Sequence, residues 1–465
     1  MKLDPIVISG REVLPVVEGG KGINVSNGES SGAWAAAGGV ATFSGVNADT
    51  YDENGKLIPM VYHGKTRTER HHELIAFGIK GAIAQARIAH DLSGGQGRMH
   101  MNVLWEMGGA EEILEGALIG AKGLIHGVTC GAGMPYKVAE IAARHGVYYY
   151  PIVSSARAFR ALWKRSFHKH GEFLGGVVYE DPWLAGGHNG LSNSEDPQKP
   201  EAPYARVVEL RKTMRDCGVA DAVPVFMAGG VWALNEWADW IGNPELGAIA
   251  FQFGTRPLLT QESPISDAWK KRLLTLKPGD VLLHRFSPTG FYSSAVKNDF
   301  INELVERSHR QIAYSGENVG DHVAELPIGA RKRIVWVTPH DREMALGWIA
   351  QGFTEALRSP DNTLVFVTPD KAEEIRQAQV DCMGCLSQCM FSNWAQNDAG
   401  TTGKKADPRS FCIQKTLQNI GHGGDVENEL MFAGHNAFRF GSDPFYANGF
   451  IPTVKQLVER IASGE

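Results

Sequence analysis

The chain has 465 residues, 43% hydrophobic and 21% charged, with a formal net charge of -6. A balance this close to neutral offers no polyelectrolyte face to nucleic acid, and no run approaches the roughly 18 apolar residues that a membrane span needs. The opening "MKLDPIVISGREVLPVV" has no signal-peptide core and six cysteines are too few for a disulfide scaffold, so a cytoplasmic protein is expected.

This length predicts one large core of about 250 to 300 residues plus a substantial appendage. Eight short apolar, β-branched runs follow one another: "VLPVVE" from Val13, "VATFSG" from Val40, "MHMNVLW" from Met99, "KGLIHGVT" from Lys122, "VYYYPIV" from Val147, "FLGGVVYE" from Phe173, "AVPVFMAG" from Ala222 and "AIAFQFG" from Ala248. Each is bounded by Gly, Pro or polar residues, as buried parallel strands are. Helical patterns separate them, among them "TERHHELIAFGIKGAIAQARIAH", "GAEEILEGALIGA", "YARVVELRKTMRDCG" and "WALNEWADWIG". Eight alternations predict an α/β fold, a TIM (β/α)8 barrel over roughly residues 10 to 275, with a doubly wound sheet as the alternative. Polar insertions at 46–66 and 190–203 follow the second and sixth strands, on the face where barrels build their sites. The expected division is a barrel domain over 1–300 and an α+β extension over 301–465.

Chemistry concentrates at the strand ends. "MAGGVW" carries Gly229 and Gly230, and "FQFGTRPLLTQES" carries Gly254 and Thr255. Glycines let main-chain N–H groups close on phosphate oxygens, and the loops after strands seven and eight are the habitual barrel phosphate site. In "LAGGHNG", after the sixth strand, Gly187 and its neighbours let the backbone pass close to a flat ligand while His188 projects over it. An imidazole suits proton transfer near neutral pH, which makes His188 the candidate catalytic acid/base. Glycines also follow the first strand in "VVEGGKG", and Asn102 stands at the end of the third strand with an amide able to pair with a ring edge. His71, His72, His168 and His170 read as solvated, and Cys130 and Cys217 as lone core thiols.

"CMGCLSQC" supplies Cys382, Cys385 and Cys389, with Cys412 after a further twenty-two residues. Thiolates two and three residues apart converge on one point and a distant fourth closes the site, which is a metal-binding pattern. A four-iron, four-sulfur (4Fe-4S) cluster, structural zinc and unliganded thiols are the three readings. No Gly-x-Gly-x-x-Gly follows a strand to mark a nicotinamide domain. Phe391 and Trp394 beside the cysteines offer either a face for self-association into a homo-oligomer or a cover for the cluster.

The ordered motifs "LPVVEGG", "AAAGGVATFSG", "MNV", "GVTCGAGMP", "LAGGHNG", "VFMAGG" and "FQFGTRPLLTQES" resemble the nitronate monooxygenase family, which includes flavin-dependent enoyl-acyl-carrier-protein reductases. The resemblance covers roughly residues 10 to 300 and implies a barrel with FMN on its C-terminal face and a small-molecule substrate. By that analogy Gly229, Gly230, Gly254 and Thr255 hold the FMN phosphate. Asn102 and Gln252 lie near the ring or ribityl chain, Glu18, Gly19 and Gly20 line the ring, and His188 deprotonates a nitroalkane or otherwise serves as acid/base. The chain departs from the family at Leu184, where a glutamate is common. Its first three clustered cysteines resemble those of iron–sulfur flavoenzymes related to 2,4-dienoyl-CoA reductase. That implies a route for single electrons, from a partner protein or from NAD(P)H, and an extension folded back over the barrel mouth. The expected function is an FMN oxidoreductase acting on a nitronate or similar small carbon acid; the alternative is an FMN/iron–sulfur reductase of activated C=C bonds. A non-catalytic scaffold is the third reading.

Overall fold

The computed structural model describes residues 3–465. Eight parallel strands close into a barrel in chain order: Val16–Glu18, Val40–Ser44, Arg98–Leu104, Gly127–Gly131, Tyr148–Val153, Val177–Glu180, Val225–Ala228 and Ile249–Phe253. Closure comes from pairing of the eighth strand with the first, Gln252 opposite Val17, which rules out the doubly wound sheet.

Side chains of alternate strand residues fill the barrel in layers. Val17, Val40, Tyr150, Val178, Phe226 and Ala250 form the middle. From below, the hairpin Ile6–Ile8/Arg11–Val13 inserts Ile8 and Val13 as a plug. Ser9 at its turn has a left-handed backbone (φ 48°) and is held there by its hydroxyl, 2.9 Å from His100 Nε2 and 2.7 Å from the Tyr150 hydroxyl. Above the middle layer the inward residues are Asn102, Ile152, Glu180, Ala228 and Gln252, and these form the floor of a cavity. Polarity therefore rises toward the C-terminal face.

Outside the barrel, the 27-residue helix Arg67–Ser93 is opened by a capping box of Thr66 and Glu69. It packs on the helix Gly28–Ala36, and its buried stripe includes His71. That histidine is covered, not solvated as its polar neighbourhood suggested, because Trp394 of the cysteine segment packs 5.2 Å from it. The stretch from Trp232 to Gly242, expected as a helix, forms only the short 3-10 turn Leu234–Trp237. Trp232 and Trp240 are buried there, and the Asn235 N–H bonds to Gly464 O, so the end of the chain takes up part of that wall.

After residue 300 the chain divides into two parts. A three-stranded antiparallel sheet (Gln311–Ala313, Thr363–Val367, Glu355–Arg358), the hairpin Ala324–Ile328/Arg333–Val337 and the helix Pro339–Ala350 enclose a separate core of Ile312, Leu326, Val335, Val337, Ala345, Leu364 and Phe366. The remainder returns to the barrel. The helix Ile413–Gly421 buries Ile413, Leu417 and Ile420, about 1.5–3 kcal/mol each by area, and the final helix Val454–Ala462 packs on the first strand and the helix Gly28–Ala36. Among the described residues no helix is long and apolar enough to cross a membrane.

Candidate active site

The C-terminal ends of the strands open into a cavity of ≈ 430 Å³. Its floor is the polar top layer of the barrel, where Asn102 Oδ1 accepts from the Thr129 hydroxyl at 3.3 Å. Gly20 runs directly over Asn102: a Cβ at position 20 would stand 2.5 Å from its Cγ, so only glycine lets the backbone pass here.

One side of the cavity is the glycine grip expected from the sequence. Gly229 and Gly230 both have left-handed backbones (φ 84° and 79°), and a Cβ on Gly230 would meet Leu184 at 2.7 Å. Gly254 faces open space, with nothing within 4 Å of where its Cβ would be. The tail of the chain braces this side. Gly434 N–H donates to the Thr255 hydroxyl at 2.9 Å, and Asn436 Nδ2 donates to Gly230 O at 2.7 Å. Arg256, also buried, donates to Trp232 O and to Glu465 O. Open glycine backbone, two amides and apolar walls form a cradle that suits a flat ring bearing a phosphate.

His188 belongs to the two-residue strand Gly187–His188, which pairs antiparallel with Ser293–Val296. Its Nε2 is 2.6 Å from Ser287 Oγ, which in turn is 2.8 Å from Thr289 Oγ1. Phe432 stands edge-on to the ring at 5.4 Å. Burial holds the imidazole down at about 4, so it is neutral at physiological pH and free to accept a proton. His284 is held down to the same level by burial and by His188. The loop itself is shaped by Asp181, whose Oδ1 accepts the N–H groups of Trp183 and Leu184 at 2.9 Å each.

Of the residues expected to hold a cofactor, Gly19, Gly20, Asn102, Gly187, Gly229, Gly230, Gln252, Gly254 and Thr255 all line this cavity together with His188. Glu18 does not. It is fully buried beside the cavity, accepting from Lys21 Nζ and from the Ser30 hydroxyl, so Lys21 reaches the cavity wall with its charge already matched. Glu180 and Lys21 were not singled out in the sequence. A carboxylate pair, Glu180-Asp181, at the end of an otherwise apolar barrel strand is the signal that identifies the first.

The cysteine segment forms the opposite wall, through Cys385 and Leu386, joined by Ile413, Gln414 and Leu417 of the following helix. Backbone bonds hold it to the loop after the third strand: Gly108 N–H to Cys385 O at 3.0 Å and Ser387 N–H to Glu106 O at 2.6 Å. From the long helix, Arg67 donates to Gln379 O and Ser392 O, and Arg70 to Val380 O and Cys382 O. Phe391 and Trp394 are both 3% exposed, so they cover this segment and present no face for self-association. Cys382, Cys385 and Cys389 are buried, and burial together with the thiols of Cys412, Cys389 and Cys382 raises Cys385 well above its ordinary value. The four thiols thus share one environment. Even so, among the described residues no three His, Cys, Asp or Glu side chains are grouped so as to hold a metal ion, and the expected cysteine metal site is not established.

Two bonds latch the segment to the loop after the second strand: Asn47 Nδ2 to Gln414 Oε1 at 2.9 Å, and His422 Nε2 to Asp49 Oδ2 at 2.7 Å. Asp49 raises His422 above its ordinary value of 6.5. A raised histidine contributes stability that is complete below that ordinary value and is lost as pH climbs through the raised one. Replacing Asp49→Asn will therefore lower the melting temperature more at about pH 5.5 than at about pH 8.5. An equal loss at both would show that the ion pair does not hold the latch.

The family model described as nitronate monooxygenase matches residues 118–463. Among solved structures, FabK from Thermotoga maritima superposes with a TM-score of 0.50 at 16% identity, over 97% of this chain and 92% of that one. Nitroalkane oxidase from Streptomyces ansochromogenes gives 0.50 at 15%, over 99% and 96%. The enoyl reductase domain of MlnA from the macrolactin biosynthesis cluster of Bacillus amyloliquefaciens gives 0.51 at 13%, over 97% and 94%. No curated protein sequence matches. These likenesses show the fold; the family match, which takes in the His188 loop, both glycine turns, the cysteine segment and the final helix, shows more: the chain is an enzyme that belongs to the nitronate monooxygenase family.

Proposed function

We propose that this enzyme binds FMN in the barrel-mouth cavity and uses it to oxidise a nitronate or a similar small carbon acid, with His188 as the acid/base. The observation that carries this reading is that a neutral, half-buried imidazole and a glycine cradle open onto the same cavity. Gly229, Gly230, Gly254 and Thr255 would take the phosphate, and Gly19, Gly20, Asn102, Gly187 and Gln252 would border the ring. Bound there, FMN supplies the site for the substrate's two electrons.

The chain's own part is to bind, orient and move a proton. Phe432 and Ser287 fix the plane of the His188 ring, so that it meets a substrate carbon without reorganising. The Ser287 and Thr289 hydroxyls continue from Nε2 as a hydrogen-bonded chain along which a proton can leave the imidazole. Apolar groups on the cysteine side, Leu386, Ile413 and Leu417, keep bulk water from the reacting carbon.

A second reading is favoured by one observation, the closeness of the Cys382, Cys389 and Cys412 thiols to Cys385, which lines the cavity. In it the thiols carry a four-iron cluster and the enzyme reduces activated C=C bonds with electrons from NAD(P)H or a partner protein. One preparation separates the two. Protein purified without oxygen is analysed for flavin, iron, sulfide and zinc, then assayed for oxygen uptake with a nitronate and for NAD(P)H oxidation with an enone. Flavin without iron and oxygen uptake with the nitronate support the first reading. Iron and sulfide with enone-dependent NAD(P)H oxidation support the second, and protein without flavin would sink both.

A further inference from the structure

Glu180 ends the sixth strand, opposite Ala228 of the seventh, and its side chain joins the cavity floor. Its carboxyl has no hydrogen bond or ion pair among the described residues. Glu180 is half-buried, and a carboxylate on a cavity floor that it shares with Ile152, Ala228 and Leu184, with no partner, favours the neutral acid. Among the described residues no free cation lines the cavity: the ammonium of Lys21 is taken by Glu18, and the remaining ionisable lining groups are His188 and Cys385. Next to Glu180 in sequence, Asp181 adds a like charge, and the seventh strand faces Glu180 with Ala228, which does not titrate. A neutral carboxylic acid is a hydrogen-bond donor.

We propose that Glu180 is a second catalytic residue of this cavity, a carboxylic acid whose O–H hydrogen-bonds to the substrate oxygen on which negative charge gathers when His188 takes the carbon-bound proton. The inference rests on the function proposed above and adds the substrate feature that the floor selects, an acceptor oxygen conjugated with the reacting carbon. In the step, the C–H bond breaks, its electron pair delocalises onto that oxygen, the proton goes to His188 and the Glu180 proton stays on its own carboxyl. The environments support the division of labour. Burial with Asp181 pushes Glu180 up to about 8, while burial holds His188 at about 4, so between those limits one group is an acid and the other a base.

The test compares FMN-loaded wild type, Glu180→Gln and Glu180→Leu with nitroethane across pH. Wild-type kcat/KM is expected to fall above about pH 8, with that limb gone in Glu180→Gln. Glu180→Leu is expected to lose ~10²–10³ in kcat/KM, the usual effect of removing one donor to a developing oxyanion, and Glu180→Gln, which keeps an N–H donor, to lose less. Persistence of the alkaline limb in Glu180→Gln overturns the proposal. A second readout does not depend on turnover. In infrared difference spectra, the carboxylic C=O band of wild type is expected to disappear above about pH 8, to shift when a nitro compound lacking an α-hydrogen is added, and to be missing in Glu180→Gln. Absence of that shift overturns the role of Glu180 even if turnover is normal. If the wild type turns over no nitro compound yet the band shifts, the functional reading has failed and the donor role of Glu180 stands.

Discussion

The substitution His188→Asn will cut kcat/KM for the oxidised carbon acid by ~10²–10⁴, the range that a positioned general base contributes, and will leave FMN binding within a few fold. The asparagine amide reaches only as far as the imidazole Nδ1 and gives up the bond from Nε2 to Ser287, but the two-stranded backbone pairing with Ser293–Val296 that carries residue 188 is retained. What it cannot do is accept a proton. Because His188 is held at about 4, its titration should leave the wild-type rate level across neutral pH and lower it on acidification toward that value. The variant should lose the acid limb along with the rate. A variant that keeps more than about a tenth of wild-type kcat/KM, with the acid limb intact, would remove His188 from the proton transfer. A preformed nitronate separates the roles further, since its carbon proton is already gone. Its oxidation by His188→Asn should be impaired less than that of the parent nitroalkane.

Much of the site was legible because its parts are local. Glycine pairs after an apolar run, and a histidine between glycines, carry their geometry in the sequence itself, and the structure brings these residues to one cavity. Glu18 escaped that logic. It was placed against the ring because it borders Gly19 and Gly20, yet a carboxylate with a lysine three residues on satisfies its charge with that lysine, and Ser30 from the next helix completes the pocket. His71 was misjudged for the opposite reason. Its helix reads as polar, and the residue that buries it, Trp394, is more than three hundred positions away. Trp232 to Gly242 has helical periodicity, but the tail returns to that wall, and no local pattern announces it. Contacts between the barrel and the last ninety residues are thus what the sequence conceals, and the cysteine wall of the cavity depends on them.

That wall leads to the second large effect, expected for Gly108→Ala. The segment Cys382–Cys389 approaches the loop after the third strand so closely that a Cβ on Gly108 would stand 2.1 Å from Gly384 O and 2.7 Å from the His71 ring. Both obstacles are held: Gly384 by its left-handed backbone (φ 70°) and by the Arg70 bonds to Cys382 O, His71 by Trp394. Neither can yield by a rotamer change alone, so the methyl group must lift the segment and break the Gly108 N–H to Cys385 O bond. Overpacking of this kind costs about 1–3 kcal/mol, and loss of a backbone hydrogen bond adds about 1 kcal/mol. The barrel strands lie below this contact, so the damage should be confined to the wall. Hydrogen exchange should accelerate in residues 382–396 and in the helix Ile413–Gly421, while the strands Val177–Glu180 and Val225–Ala228 keep their protection. With Leu386, Ile413 and Leu417 drawn back, water reaches the reacting carbon, and turnover should fall although His188 and the glycine cradle are intact. Uniform loss of protection across the barrel would show instead that the cysteine segment is part of the folding core, and unchanged exchange with unchanged turnover would show that the wall is dispensable to the chemistry.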